Sequence, residues 1–172
     1  TITGNISVDG GTIKLDGNYP VGTDNVALGN TALDSVEAGG TNNVAIGDNA
    51  GTAITTGDNN TAVGKDALEA STTAEQNVAV GSFALKDNTT GSNNVAIGRR
   101  SLQENETASN NTSVGNSSMQ NNTTGAQNVA VGAFTLDANT TASNNTAVGY
   151  NSLTANTTGT QNVSTGTCSL NA

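Results

Sequence analysis

The 172-residue chain contains no His and no Trp, one Cys, one Pro, two Tyr and two Phe. Without His there is no Ser-His-Asp triad and no Cys-His pair. One Cys and no His leave no zinc site of the usual ligand types, and no intrachain disulfide. Basic residues are also scarce: five Lys and Arg face fourteen Asp and Glu, a net charge of −9. Duplex DNA and anionic lipid are therefore unfavourable partners, because phosphate binding needs a cationic surface. No run of 18 or more apolar residues occurs and no basic stretch leads into an apolar one, so neither membrane insertion nor a secretory signal is predicted. The first residue is Thr rather than Met, which is compatible with processing or a longer parent. The apolar fraction is 33%, too small and too poor in aromatics for an ordinary three-dimensional core.

Polar residues fill the gap: 27 Asn, 28 Thr and 21 Gly. Such a composition by itself is that of many disordered chains, but its order is periodic. Asn25-Val26-Ala27-Leu28-Gly29 recurs from Asn43, Asn60, Asn77, Asn94, Asn111, Asn128, Asn145 and Asn162. The first interval is 18 residues and every later one is 17. Nine copies at a fixed period mark a repeat architecture.

Each column carries a physical expectation. The first position is always Asn and the fifth always Gly, the latter pointing to positive φ or close backbone approach. The three residues between them alternate as in a short strand. The larger residues of that strand, such as Val44 and Ile46, are expected to face the core. The small column between them would then face away as an oligomer seam: Ala27, Ala45, Ala62, Ala79, Ala96, Ala130 and Ala147. A second apolar column, Leu33, Leu68, Leu85, Leu102, Met119, Leu136, Leu153 and Leu170, follows four residues after the Gly, with Gly51 as its exception. It is expected to lie in a second short strand. Asn-Thr-Thr-Gly segments such as 88–91 suit tight turns. Stacked Asn columns can satisfy their own amides.

Helix is excluded by the Gly, Asn and Thr content. A 17-residue unit with short strands and turns fits one coil of a parallel β-solenoid. Nine coils at the strand spacing give a rod about 40 Å long. Residues 25–172 are read as this solenoid. Residues 1–24 are read as an N-terminal β-hairpin-like cap or junction, from the alternation over 2–8 and 12–15 about Asp9-Gly10-Gly11.

The residues just after the repeat Gly vary freely and are expected at the surface. Phe83, Arg99, Arg100, Phe134 and Tyr150 are the candidate partner contacts, and Cys168 is an exposed or interfacial thiol in the same columns. No Gly-rich phosphate loop is convincing, because the glycines belong to the repeat. Asp48, Asp66, Asp87 and Asp137 share no column, unlike the carboxylates of calcium-binding rolls. No cofactor, metal or catalytic group is expected, and the chain is read as non-enzymatic.

The repeat resembles those of phage and bacterial tail-fibre-like proteins, most closely over Asn145–Gly159 (NTAVGYNSLTANTTG). Residues 4–15 (GNISVDGGTIKL) resemble marine phage structural proteins. Asn43–Gly47 and Asn94–Gly98 are similar to the head repeat of YadA-type trimeric autotransporter adhesins, although 17 residues exceeds the usual adhesin unit. These resemblances imply an all-β, left-handed parallel β-roll assembled as a homotrimer. They imply a virion fibre segment, of tail or capsid, that contacts other virion or fibre proteins and displays loops to a host-surface glycan or protein. The alternative is a bacterial trimeric surface adhesin or extracellular filament subunit. A third reading, from the Thr-Thr pairs at 55–56, 72–73, 89–90, 123–124, 140–141 and 157–158, is an ice-binding solenoid.

Overall fold

A computed structural model describes residues 24–170. The cap expected over residues 1–24 lies outside these, Asp24 excepted. Each coil contributes one three-residue strand: β1 (Val26–Leu28), β2 (Val44–Ile46), β3 (Thr61–Val63), β4 (Val78–Val80), β5 (Val95–Ile97), β6 (Thr112–Val114), β7 (Val129–Val131), β8 (Thr146–Val148) and β9 (Val163–Thr165). They form one parallel sheet in sequence order, with Ala45 opposite Ala62, Ala62 opposite Ala79 and so on along the stack. The chain is an all-β solenoid, as its period predicts. The extra residue of the first coil lies between Glu37 and Gly40, since Glu37 pairs with Thr55 and Gly40 takes the amide of Asn25 just as Gly57 takes that of Asn43.

The strand faces are the reverse of the sequence expectation. Ala45, Ala62, Ala79, Ala96, Ala130 and Ala147 are almost wholly buried within the single chain, and Ala27 is partly buried against the same cluster. This column is the core wall, not an oligomer seam. Leu68, Leu85, Leu102, Met119 and Leu136 close the core from the opposite side and are fully buried. A coil of 17 residues encloses too narrow a space for branched side chains on both walls, so the strand side takes Ala and the far side takes Leu. The Val, Ile and Leu of the strands consequently point outward. Where the column holds Ser instead of Ala, the hydroxyl is paired: Ser113 donates to the Ser118 carbonyl and accepts from Ser101 at 2.7 Å.

The second expected strand is absent as well. The Leu column sits in a turn, with Leu68, Leu85 and Leu102 at φ near +50°. Left-handed backbone is costly for Leu, and it recurs because only this bend aims the side chain inward. Gly51 replaces Leu at one coil, and Ile54 fills its space: a Cβ on Gly51 would lie 3.0 Å from the Ile54 Cδ1.

Two Asn columns run through the interior. In the first, the backbone N–H of Asn60 donates to the Asn43 side-chain oxygen at 2.9 Å, and Asn94, Asn111 and Asn128 repeat the pattern at 2.9–3.0 Å. Their side-chain amides donate to turn carbonyls of their own coil, as Asn111 does to Gly125 at 2.9 Å. In the second, Asn105, Asn122 and Asn139 each donate to the Asn oxygen one coil earlier at 2.7–3.0 Å, and to a carbonyl three residues on. These buried amides satisfy backbone groups that the tight turns leave without a ladder partner.

The repeat Gly has a steric cause. A Cβ on Gly81 would lie 2.6 Å from the carbonyl carbon and oxygen of Gly98 in the next coil, whereas one on Gly166 meets nothing closer than 3.9 Å. Both have positive φ, at 133° and 123°. Gly81→Ala therefore adds a backbone clash of about 1–3 kcal/mol to the dihedral strain that both substitutions share. Urea unfolding should show Gly81→Ala less stable than Gly166→Ala by that margin, and equal midpoints would refute the packing argument. Asn111→Ala removes the acceptor of the Asn128 N–H and the donor to Gly125 and should cost about 2–4 kcal/mol. The same unfolding experiment reads it.

Candidate functional site

The two outward features are the sheet face and the edge that follows it. On the sheet, the first and third strand residues point out at eighteen positions from Val26 to Thr165. Fourteen are Val, Ile or Leu and the other four are Thr. Ile46, Ile97, Val131 and Val148 are exposed at 36–41%. No charge interrupts this strip, because every strand is in register and stacks like residues on like. It measures on the order of 40 Å by 10 Å, about 400 Å² of apolar surface. Parallel sheets are ordinarily covered on both faces, and here the described residues cover only one.

The edge is made by the two residues after the repeat Gly. The second of each pair is left-handed, including Phe83, Arg100 and Phe134 at φ of 64°, 58° and 55°. Its N–H donates to the carbonyl of the first residue one coil earlier: Phe83 to Lys65 at 2.9 Å, Arg100 to Ser82 at 3.0 Å, Phe134 to Asn116 at 3.0 Å. The backbone of the edge is thus a hydrogen-bonded platform rather than a set of loose loops, and its side chains stand in two files at the coil spacing.

All five predicted contact residues lie on this edge. Phe83 and Arg100 occupy adjacent coils of one file, with Phe134 two coils beyond. Arg99 and Tyr150 belong to the other file. Phe134 and Tyr150 meet edge-to-face with ring centroids 6.1 Å apart. Arg99, Phe134 and Tyr150 are exposed, while Phe83 and Arg100 are half-buried. Cys168 ends the file, exposed and unbridged.

Charge is unevenly placed. Near the N-terminal end, Lys65 contacts Asp48 and Asp66, each at 3.3 Å. The Asn30 amide, and then Lys65, hold the Asp48 carboxyl below its ordinary value, and the Asp66 and Asp48 carboxylates raise Lys65. Lys86 lies beside Glu69 and Asp87 at 3.4 and 3.5 Å. Arg99 and Arg100 form no ion pair among the described residues, and the Arg100 Nε is shielded from solvent without a hydrogen-bond partner.

The Thr pairs split into two roles. The first hydroxyl turns back to the neighbouring coil, as Thr55 does to the Thr72 carbonyl at 3.2 Å and Thr123 to Thr140 at 3.1 Å. The second, as at Thr73, Thr90, Thr124 and Thr141, is exposed, and the first joins it only in the last pair, at Thr157. The result is a single file, not a flat array two residues wide.

No group of three or more metal-ligating side chains occurs among the described residues. A hollow lined by Leu153, Asn156, Gly159, Asn162 and Leu170 lies at the C-terminal end of the described coils and holds no convergent polar set of catalytic type. Residue size does not mark the outward apolar face in this sequence, because the larger strand residues are the ones turned out. The usable signal was the Ala column, which marks the tight wall of a narrow coil. Comparison with protein-family models, curated proteins and solved structures finds no match for this chain.

Asp137 is the one acidic residue after position 106, and burial raises its carboxyl above the ordinary value. An acid with a raised folded value holds its proton more tightly folded than unfolded. Stability should therefore fall as pH rises from the unfolded value through the folded one, then level off. Asp137→Asn should abolish that fall and raise the urea midpoint at pH 7, and an unchanged profile would contradict the burial effect.

Proposed function

We propose that the chain is a structural fibre segment of a virion, non-enzymatic, that associates as a homotrimer through its outward apolar sheet face and displays its coil edges for attachment to a host surface. The observation that carries this reading is the uncharged apolar strip running the length of the solenoid on an otherwise acidic, polar chain. An identical copy matches it in length, in coil spacing and in lack of charge. Three such faces meeting at an axis would give each sheet its second cover. The strip alone is smaller than the roughly 800 Å² per partner of a standard interface, so flanking turns would contribute. The trimer and the virion setting come from the resemblance to tail-fibre and adhesin-head repeats. A bacterial surface adhesin would use the same assembly. The single exposed Thr file does not favour ice binding.

Light scattering after size exclusion should give three times 17.0 kDa, about 51 kDa. The double variant Ile97→Lys/Val131→Lys should run near 17 kDa with an unchanged β circular dichroism spectrum, because both side chains are already exposed within one chain. A wild-type monomer would sink the trimer. Antibody to the chain should decorate projections on virions, and labelling confined to a bacterial envelope would transfer the reading to the adhesin.

A further inference from the structure

The one stretch of the displayed edge with uncompensated positive charge is Arg99-Arg100. Three observations bear on what it meets. The described lysines, Lys65 and Lys86, each contact two carboxylates, whereas neither arginine contacts one among the described residues. Glu104 and Glu106 share the coil with the arginines yet lie outside ion-pair distance of both. Arg100 is half-buried and its Nε is cut off from solvent without a partner, so its guanidinium is partly desolvated. A cation in that condition gains more from an incoming anion than a solvated one. Guanidinium forks match carboxylate, sulfate and phosphate groups. Two and three coils further along the same edge, about 10 and 14 Å away, Phe134 and Tyr150 present exposed ring surface. Flat apolar rings with an exposed hydroxyl suit the faces of sugar rings.

We propose that this edge binds an acidic polysaccharide lying along the solenoid axis, its anionic groups on Arg99 and Arg100 and neutral parts of its chain on Phe134 and Tyr150. The inference names the ligand class for the display reading above and rests on it for the biological setting only. The carboxylates of the first coils, Asp48 and Asp66, repel such a ligand and set its position toward the C-terminal coils. A trimer would carry three such edges, and weak single contacts would sum.

The test uses the full chain in affinity electrophoresis through gels containing polygalacturonate, dextran sulfate or neutral dextran. Polygalacturonate or dextran sulfate should retard it, neutral dextran should not, and the effect should weaken as salt is raised. Retardation by the uronate or by the sulfate alone supports the proposal and identifies the anion. Arg99→Gln/Arg100→Gln should weaken binding at least 10-fold. Arg99→Lys/Arg100→Lys, which keeps the charge and loses the fork, should fall between. Phe134→Ala/Tyr150→Ala should weaken it about 5-fold with its salt dependence intact. Because the chain carries net charge −9, retention by bulk attraction is not expected. Equal retardation by neutral dextran, none by either acidic polymer, or wild-type binding by the Gln variant would overturn the proposal. So would a changed mass in both the Gln and Lys variants, which would make the arginines interface residues. A monomeric wild type that still binds through the arginines would remove the trimer and leave this inference standing. A trimer without binding would do the reverse.

Discussion

Register between successive coils is the constraint on which the rest of the structure depends. It is held by an interior amide column in which each Asn oxygen accepts the N–H of the next coil's Asn, as between Asn94 and Asn111 at 3.0 Å. A coil slipped by one residue would leave that buried amide and carbonyl unpaired, at a cost comparable to losing several ordinary hydrogen bonds. The repeat Gly enforces the same register sterically, since its missing Cβ is where the next coil's Gly carbonyl lies. Polar chemistry inside and close backbone contact at the corner together do what a large apolar core does in a globular domain.

Uniform register has consequences on the outside. Whatever a coil presents at one position is repeated one strand spacing further on, so surface features become files. The strand residues form an apolar strip, the Thr residues a single hydroxyl file, and the pair after each Gly a rigid two-file edge. The edge varies freely in sequence, as do the columns of Lys86-Asp87 and Gln103-Glu104, because the Ala, Leu and Asn columns supply the core and the inter-coil amides. The interior columns repeat for packing reasons. The edge carries the arginines and the aromatic pair that distinguish its coils from the rest.

Compensation within the core follows the same logic. Gly51 leaves a void where other coils place Leu, and Ile54 fills it from the position that later coils give to Asn88, Asn105 and Asn122. Leu returns at Leu68, where Ser71 holds that position, and the second Asn column begins one coil later at Asn88. Apolar volume and amide pairing are exchanged within one coil while the backbone path is preserved.

The period, the coil count, the parallel β class and the stacking role of Asn were all legible in the sequence, because each depends on spacing that the chain repeats nine times. The exposure of Phe134 and Tyr150 was legible too, from variability at their columns. Which strand face points inward was not, because alternation over three residues defines two faces without saying which is enclosed. That was decided by the width of the closed coil, which admits Ala from the strand and Leu from the left-handed turn opposite, and so turns Val and Ile outward. The tertiary structure alone also brought Arg99, Arg100, Phe134 and Tyr150, up to 51 residues apart in the chain, onto one edge within a few strand spacings, because stacking converts a 17-residue interval into about 5 Å.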